Sequence, residues 1–153
     1  MSKSVTRVRT ALEGVSSILL ETGEARTAQM AADELGVDVD QIAKSIIFRG
    51  EDSGEAILFI IAGGNQVDST KAAALAGEPL GKADARLVRE QTGFAIGGVS
   101  PVGHLTPIRA FLDPRLKEFS LVWAAAGTPR HVFSVAPEDL VRISGAQVAD
   151  FTI

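Results

Sequence analysis

The stretch Ala56-Ile-Leu-Phe-Ile-Ile-Ala62 is the longest apolar run in the chain, with the polar segment Arg49–Glu55 before it and Gly63-Gly64-Asn65 behind it. It is far too short to cross a bilayer. Its bulky aliphatic and aromatic residues, bounded by turn signals, predict a strand buried on both faces and central in a sheet. Ser45-Ile-Ile-Phe48, on the other side of the polar segment, supplies the first strand of a hairpin with it. A central strand of this kind requires neighbours on both edges and helices against its faces, which sets the fold class before any other residue is considered.

The remaining segments fit that demand. Val5, Val8, Leu12, Val15 and Leu19 recur at helical spacing and Gly23 follows, which predicts a helix over 5–22 within an N-terminal segment 1–24. A second helix starts at a Thr27 cap and ends at Gly36, and Asp38 with Gln41 forms a capping box for a short helix ending near Lys44. Asp68–Ala76 and Asp84–Gln91 read as further helices, followed by a strand around Phe94. After an Asp113-Pro114 turn, Leu121–Ala125 and Val132–Val135 predict another hairpin, Pro137 opens a last helix, and Val148–Ile153 reads as a final strand. Together with a length of 153 residues and 46% hydrophobic content, the pattern predicts one α+β domain over 1–153. Its sheet is mixed and mostly antiparallel, or a partial barrel, with helices around it.

Composition narrows the chemistry. Cysteine is absent, which removes disulfides, thiolate nucleophiles and cysteine-based zinc sites, and two histidines with no HExxH spacing argue against a metal centre. The expectation is a protein without metal or other cofactor. No signal-peptide pattern opens the chain, which predicts a soluble, cytoplasmic protein with no membrane partner. A net charge of −4 argues against a protein that coats nucleic acid by charge alone, and no arginine-rich reading helix points to specific DNA. GGVSP is not a GxSxG nucleophile elbow, and GEPLGK does not complete a P-loop.

What is left is local. Gly97-Gly98-Val99-Ser100-Pro101 offers bare backbone, either as a plain tight turn or as amide N–H groups that hold a developing oxyanion. Lys44 stands where a short helix gives way to a strand, which suits either a helix-end cation or a side chain held over a site. His131 enters an apolar strand, and Asp68 with Lys71 reads as a helix cap and a solvated charge as readily as a site.

Five blocks in order, VDQIAKSIIF (39–48), FIIAGGNQVD (59–68), TGFAIGGVSPVGH (92–104), FLDPRL (111–116) and APEDLVRISGAQVADF (136–151), resemble the YbaK/ProXp family. These are free-standing relatives of the editing domain inserted in bacterial prolyl-tRNA synthetases. The resemblance implies a trans-editing aminoacyl-tRNA deacylase that hydrolyses the ester of a small mischarged amino acid on tRNA(Pro). Alanine comes first, ahead of cysteine, serine, threonine and 2-aminobutyrate, and prolyl-tRNA synthetase is an implied partner. It matches the family's GxxxP loop to Gly97–Pro101, whose amides hold the substrate carbonyl and ribose, and the family's lysine to Lys44, facing the terminal adenosine or its phosphate. His131 falls at a pocket position, with His104, Asp68, Ile46 and Phe48 as further substrate-binding candidates beside the matched motifs. The nucleophile implied is water, assisted by the substrate's own ribose hydroxyl. A local basic rim drawn from Arg7, Arg9, Lys44, Arg49 and Lys71 is expected to hold the RNA. The competing class is a noncatalytic tRNA or synthetase accessory that binds the same ends without turnover.

Overall fold

The computed structural model describes residues 2–153. At its centre lies β3 (Ala56–Ala62), buried at every position. Its alternating side chains feed two separate cores, Ile57, Phe59 and Ile61 on one face and Leu58, Ile60 and Ala62 on the other. β2 (Ile42–Gly50) pairs antiparallel with it over seven residues, from Ala43 opposite Ala62 to Arg49 opposite Ala56. On the other edge β5 (Arg109–Leu112) runs parallel to it, followed by the short β8 (Gln147–Val148). Beyond β2 the sheet continues through β6 (Val122–Ala125), β7 (His131–Val135) and β1 (Leu19–Glu21), while β4 (Leu80–Lys82) pairs with the far end of β2. Among the described residues the result is an open mixed sheet of eight strands, not closed into a barrel, as expected of the α+β class.

Among the described residues five helices cover it: α1 (Lys3–Ala11), α2 (Ala28–Leu35), α3 (Ser69–Ala76), α4 (Ala85–Thr92) and α5 (Pro137–Ser144). Side-chain caps start most of them. Thr27 accepts from the Met30 amide, Asp68 from the Thr70 and Lys71 amides, and Asp84 from the Leu87 amide. The Asp38/Gln41 capping box is present and encloses a single 3-10 turn, Val39–Gln41. Among the described residues no helix is long and apolar enough to cross a membrane.

Three expectations are corrected. The predicted helix over 5–22 stops at Leu12, and Leu19–Glu21 instead becomes β1 against Phe133–His131 of β7. Val15 and Leu19 keep the helical spacing only because they also pack on the Val8/Leu12 core, so tertiary pairing overrides local pattern. Lys44 lies in the third position of β2 rather than at a helix end. Phe94 is not in a strand. It is fully buried beyond α4, with the Arg7 guanidinium 4.8 Å from its ring centre and the His104 ring edge-on to it at 5.9 Å.

Arg7 holds both ends of the loop that follows Phe94, donating from Nη2 to the Gly93 carbonyl at 2.6 Å and from Nε to the Gly103 carbonyl at 3.2 Å. His104 Nε2 donates to the Ser100 carbonyl at 2.7 Å. Burial, with a smaller contribution from the Arg7 charge, holds the His104 imidazole below the ordinary histidine range despite that hydrogen bond. The second anchor is Asp113, only 2% exposed, whose carboxylate accepts from the Ala62 amide, the Asn65 side-chain amide and the Arg115 amide.

Two stability predictions follow from these anchors. Asp113→Ala leaves the buried Ala62 N–H unpaired and should lower unfolding free energy by about 2–3 kcal/mol, read as a reduced urea midpoint at unchanged slope. For His104, the unfolded chain takes up a proton near pH 6.5 while the folded chain resists it, so stability is full above that pH and is lost as pH falls toward the depressed folded value. Urea titrations between about pH 7.5 and 5 should therefore show a stability decline that is shallower in His104→Gln.

Candidate functional site

The outer edge of β2 is paired at its two ends and bare between them. Ile42–Ala43 run parallel to Trp123–Ala124 of β6, and Phe48–Gly50 pair with Leu80–Lys82 of β4. Among the described residues no strand takes residues 44–47 on that side. This interruption of the sheet opens a cavity of about 820 Å³, within the range of small-molecule sites. Its walls include the bare edge of β2, the start of α2 around Arg26–Gln29, the loop with Ile96, Gly97 and Val99, and the β6–β7 turn with Thr128, Pro129 and His131, with Gly63 and Gly64 after β3 and Ala83 and Val88 completing it.

The loop is shaped by two glycines with different tasks. Gly97 has φ of +97°, a conformation L side chains rarely adopt. Gly98 is needed for close approach, since a Cβ there would stand 2.7 Å from the Thr128 Cα. Its N–H is spent on the Ala95 carbonyl at 3.1 Å, whereas the N–H groups of Gly97 and Val99 donate to no protein acceptor among the described residues. Two cavity-lining residues thus carry amides free to meet a ligand.

Lys44 leaves β2 on the face of Ile61, and its Nζ donates to the Asn65 carbonyl at 3.0 Å. Asn65 in turn donates from its side-chain amide to Asp113 at 2.8 Å, so a buried carboxylate fixes the loop that fixes the lysine. An ammonium that donates once to a carbonyl has two further N–H donors. Lys44 and Ile46 border both the main cavity and a smaller hollow of about 230 Å³, to which Phe48 also belongs. Ser45, between them, lines the main cavity, and its hydroxyl is buried without a partner. His131 lies on the opposite wall, with Thr128 Oγ1 2.6 Å from its Nδ1 and Glu21 Oε2 3.6 Å from its Nε2.

The structure therefore brings Lys44, Ile46, Gly97, Val99 and His131 around one cavity. Gly98 lies directly behind, against Thr128. Ser100 and Pro101 are buried under the loop, with Ser100 Oγ accepting from the Val102 amide at 3.2 Å. His104 braces the loop from inside, and Asp68 caps α3 away from the cavity. Sequence reasoning missed Arg26, Ser45, Trp123 and Thr128 as lining residues. For Thr128 a signal was present in the TP turn before His131; for the others only the three-dimensional gap in the sheet reveals them.

Comparison with known proteins identifies the family of the chain. The chain is 36% identical over 128 residues to YwhH of Bacillus subtilis, covering 84% of this chain and 80% of that one. It is 24% identical over 127 residues to EbsC of Enterococcus faecalis, named a "putative Cys-tRNA(Pro)/Cys-tRNA(Cys) deacylase", covering 82% and 77%. A crystal structure of a "putative trans-editing enzyme for prolyl tRNA synthetase" superposes with a TM-score of 0.91 at 47% identity, over 100% of this chain and 99% of the other. The aminoacyl-tRNA editing domain model matches residues 22–143, spanning every wall of the cavity, and the chain belongs to that family, the YbaK-like relatives of the prolyl-tRNA synthetase editing domain.

Proposed function

We propose that the protein is a trans-editing aminoacyl-tRNA deacylase that hydrolyses the ester of a small mischarged amino acid, alanine first, on tRNA(Pro). The observation that carries this reading is the convergence on one cavity of the unpaired Gly97 and Val99 amides, the Lys44 ammonium and the His131 ring. The names borne by EbsC and by the trans-editing structure support a deacylase reading, and the Cys-tRNA in EbsC's own name supports keeping cysteine among the candidate amino acids.

In the proposed mechanism the Gly97–Pro101 loop supplies the oxyanion site. Attack on the ester carbonyl moves negative charge onto its oxygen, and one well-placed amide donor is worth about 3 kcal/mol there. Lys44 engages the terminal adenosine or its phosphate and orients the ester, while Ile46 and Phe48 provide apolar contact beside it. With no cysteine in the chain and Ser100 Oγ turned to the Val102 amide, the nucleophile is water, aided by the free ribose hydroxyl of the substrate and needing no metal. A cavity of about 820 Å³ has room for a nucleoside with its aminoacyl group, so discrimination between amino acids is local and steric rather than a matter of total volume. Attraction alone separates neighbours differing by one methylene by only about 1–3 kcal/mol.

The deciding measurement is amino-acid release from tRNA(Pro) charged separately with alanine, cysteine, serine and proline. We expect one small species to be hydrolysed, Pro-tRNA(Pro) to be spared, and Lys44→Ala to slow release by roughly 10²-fold. Binding of charged tRNA with no release above the protein-free rate would replace the deacylase with a noncatalytic accessory module.

Of the rim anticipated in sequence, Arg7, Arg9, Lys44, Arg49 and Lys71, only Lys44 lines the cavity. Arg7 is committed to the Gly93 and Gly103 carbonyls, Arg49 pairs with Glu51 at 3.1 Å, and Lys71 pairs with Asp150 at 3.0 Å. Arg26 and Lys44 line the cavity and are the proposed phosphate contacts. Arg26→Ala should flatten the logarithmic salt dependence of tRNA binding by about one unit, while Arg49→Ala and Lys71→Ala leave the slope unchanged.

A further inference from the structure

The β6–β7 turn holds a polar chain that the proposed reaction does not use. Thr128 Oγ1 accepts the Arg130 N–H at 3.1 Å and lies 2.6 Å from His131 Nδ1. A threonine hydroxyl has one proton and two lone pairs, so with the Arg130 amide on one lone pair it can give its proton to Nδ1 or take an Nδ1–H on the other. A neutral imidazole that accepts at Nδ1 carries its own proton at Nε2. The opposite end of the ring distinguishes the two. Nε2 stands 3.6 Å from the Glu21 carboxylate, which accepts and cannot donate when ionised, and Glu21 is the residue directly opposite His131 in the β1–β7 ladder. The Glu21 carboxylate thus favours a proton on Nε2, and the Thr128 hydroxyl can serve that tautomer as the donor to Nδ1.

The turn is also tied to the catalytic loop of the proposed mechanism. The Thr128 backbone is the surface against which Gly98 packs, so the group that orients the ring and the loop that carries the free amides share one contact. Both Thr128 and His131 line the cavity, whereas Glu21 does not.

We infer that Thr128 is a positioning residue that fixes neutral His131 as the Nε2–H tautomer, so that the imidazole meets the ligand as a hydrogen-bond donor and not as a general base. This rests on the reading of His131 as a ligand-facing residue of the proposed deacylase. In that setting the ring donates to a carbonyl or ribose oxygen of the aminoacyl end, and no proton is withdrawn from water by it. Removing the threonine hydroxyl frees Nδ1 and releases the ring to exchange tautomers.

The test reads the ring directly. Nitrogen-15 NMR of the two imidazoles at about pH 8.5, above the ordinary histidine range, distinguishes the tautomers, with His131→Asn assigning the signal. The wild type should show His131 protonated at Nε2, Thr128→Val should give a mixture, and Thr128→Ser should restore the wild-type pattern. Valine keeps the shape against Gly98, so a normal unfolding midpoint separates a tautomer effect from misfolding. In the release assay Thr128→Val should lower kcat by roughly tenfold, with Thr128→Ser close to wild type. A wild-type ring protonated at Nδ1, or a Thr128→Val ring unchanged from wild type, overturns the inference. A changed tautomer with unchanged release overturns the donor role of His131 while leaving the deacylase reading, which wild-type release tests, intact.

Discussion

Seven consecutive pairs between β2 and β3 lock together the two strands that carry most of the molecule's geometry. β3 is buried on both faces, so a one-residue slip would exchange Ile57, Phe59 and Ile61 with Leu58, Ile60 and Ala62 between two differently shaped cores. The register is therefore held at both faces at once, and β2 inherits it. Lys44 is opposite Ile61 and Ser45 opposite Ile60 for this reason, which places the ammonium on the Asn65 side and the hydroxyl on the other. Any functional role for the bare β2 edge depends on that ladder more than on contacts within the cavity.

The cavity exists because β2 is longer than either partner on its outer edge. β6 reaches only Ile42–Ala43 and β4 only Phe48–Gly50, and the intervening backbone is walled by loops instead of by a strand. Loops of this kind need outside support to keep a shape. Arg7 supplies it for the glycine loop by holding carbonyls ten residues apart in sequence, Gly93 and Gly103, from a helix at the far end of the chain. A residue read as an RNA contact from its charge is thus used as a brace. The two roles are indistinguishable in a sequence because both ask for an exposed-looking arginine on a helix.

What the sequence made legible was local. Thr27, Asp38 with Gln41, Asp84 and Pro137 mark their helix starts through short-range hydrogen bonds or fixed φ, and those signals survive folding unchanged. The apolar run of β3 was readable because burial on both faces leaves no alternation to interpret. What was not legible depends on partners distant in sequence. Leu19–Glu21 becomes a strand only because Phe133–His131 is there to pair with it, and Phe94 is buried by Arg7 and His104 rather than by a ladder. For the site, Lys44 and the glycine loop stood out by residue type and family resemblance. Arg26, Ser45 and Thr128 did not, since a cavity formed by a missing strand leaves no pattern in the residues that line it.

The groups to which the proposed reaction assigns a part share one chemical character, although the hydroxyls of Thr27, Ser45 and Thr128 and the Gln29 amide also line the cavity. Free amides at Gly97 and Val99, the Lys44 ammonium, the Arg26 guanidinium and, on the inference above, the Nε2–H of His131 are all donors or cations. The neighbouring carboxylates are engaged elsewhere: Asp40 by Arg115 and the Gly64 amide, and Asp113 by three donors. A wall of donors stabilises negative charge as it develops but withdraws no proton from an attacking water. For an ester this division is sufficient, because its leaving alkoxide needs less assistance than an amine would. In the proposed reaction that proton passes to solvent or, relayed through the neighbouring ribose hydroxyl, to the leaving ribose oxygen. A deacylase built this way depends on its substrate for part of its chemistry, and an ester lacking a neighbouring hydroxyl would be bound in the same cavity and turned over slowly.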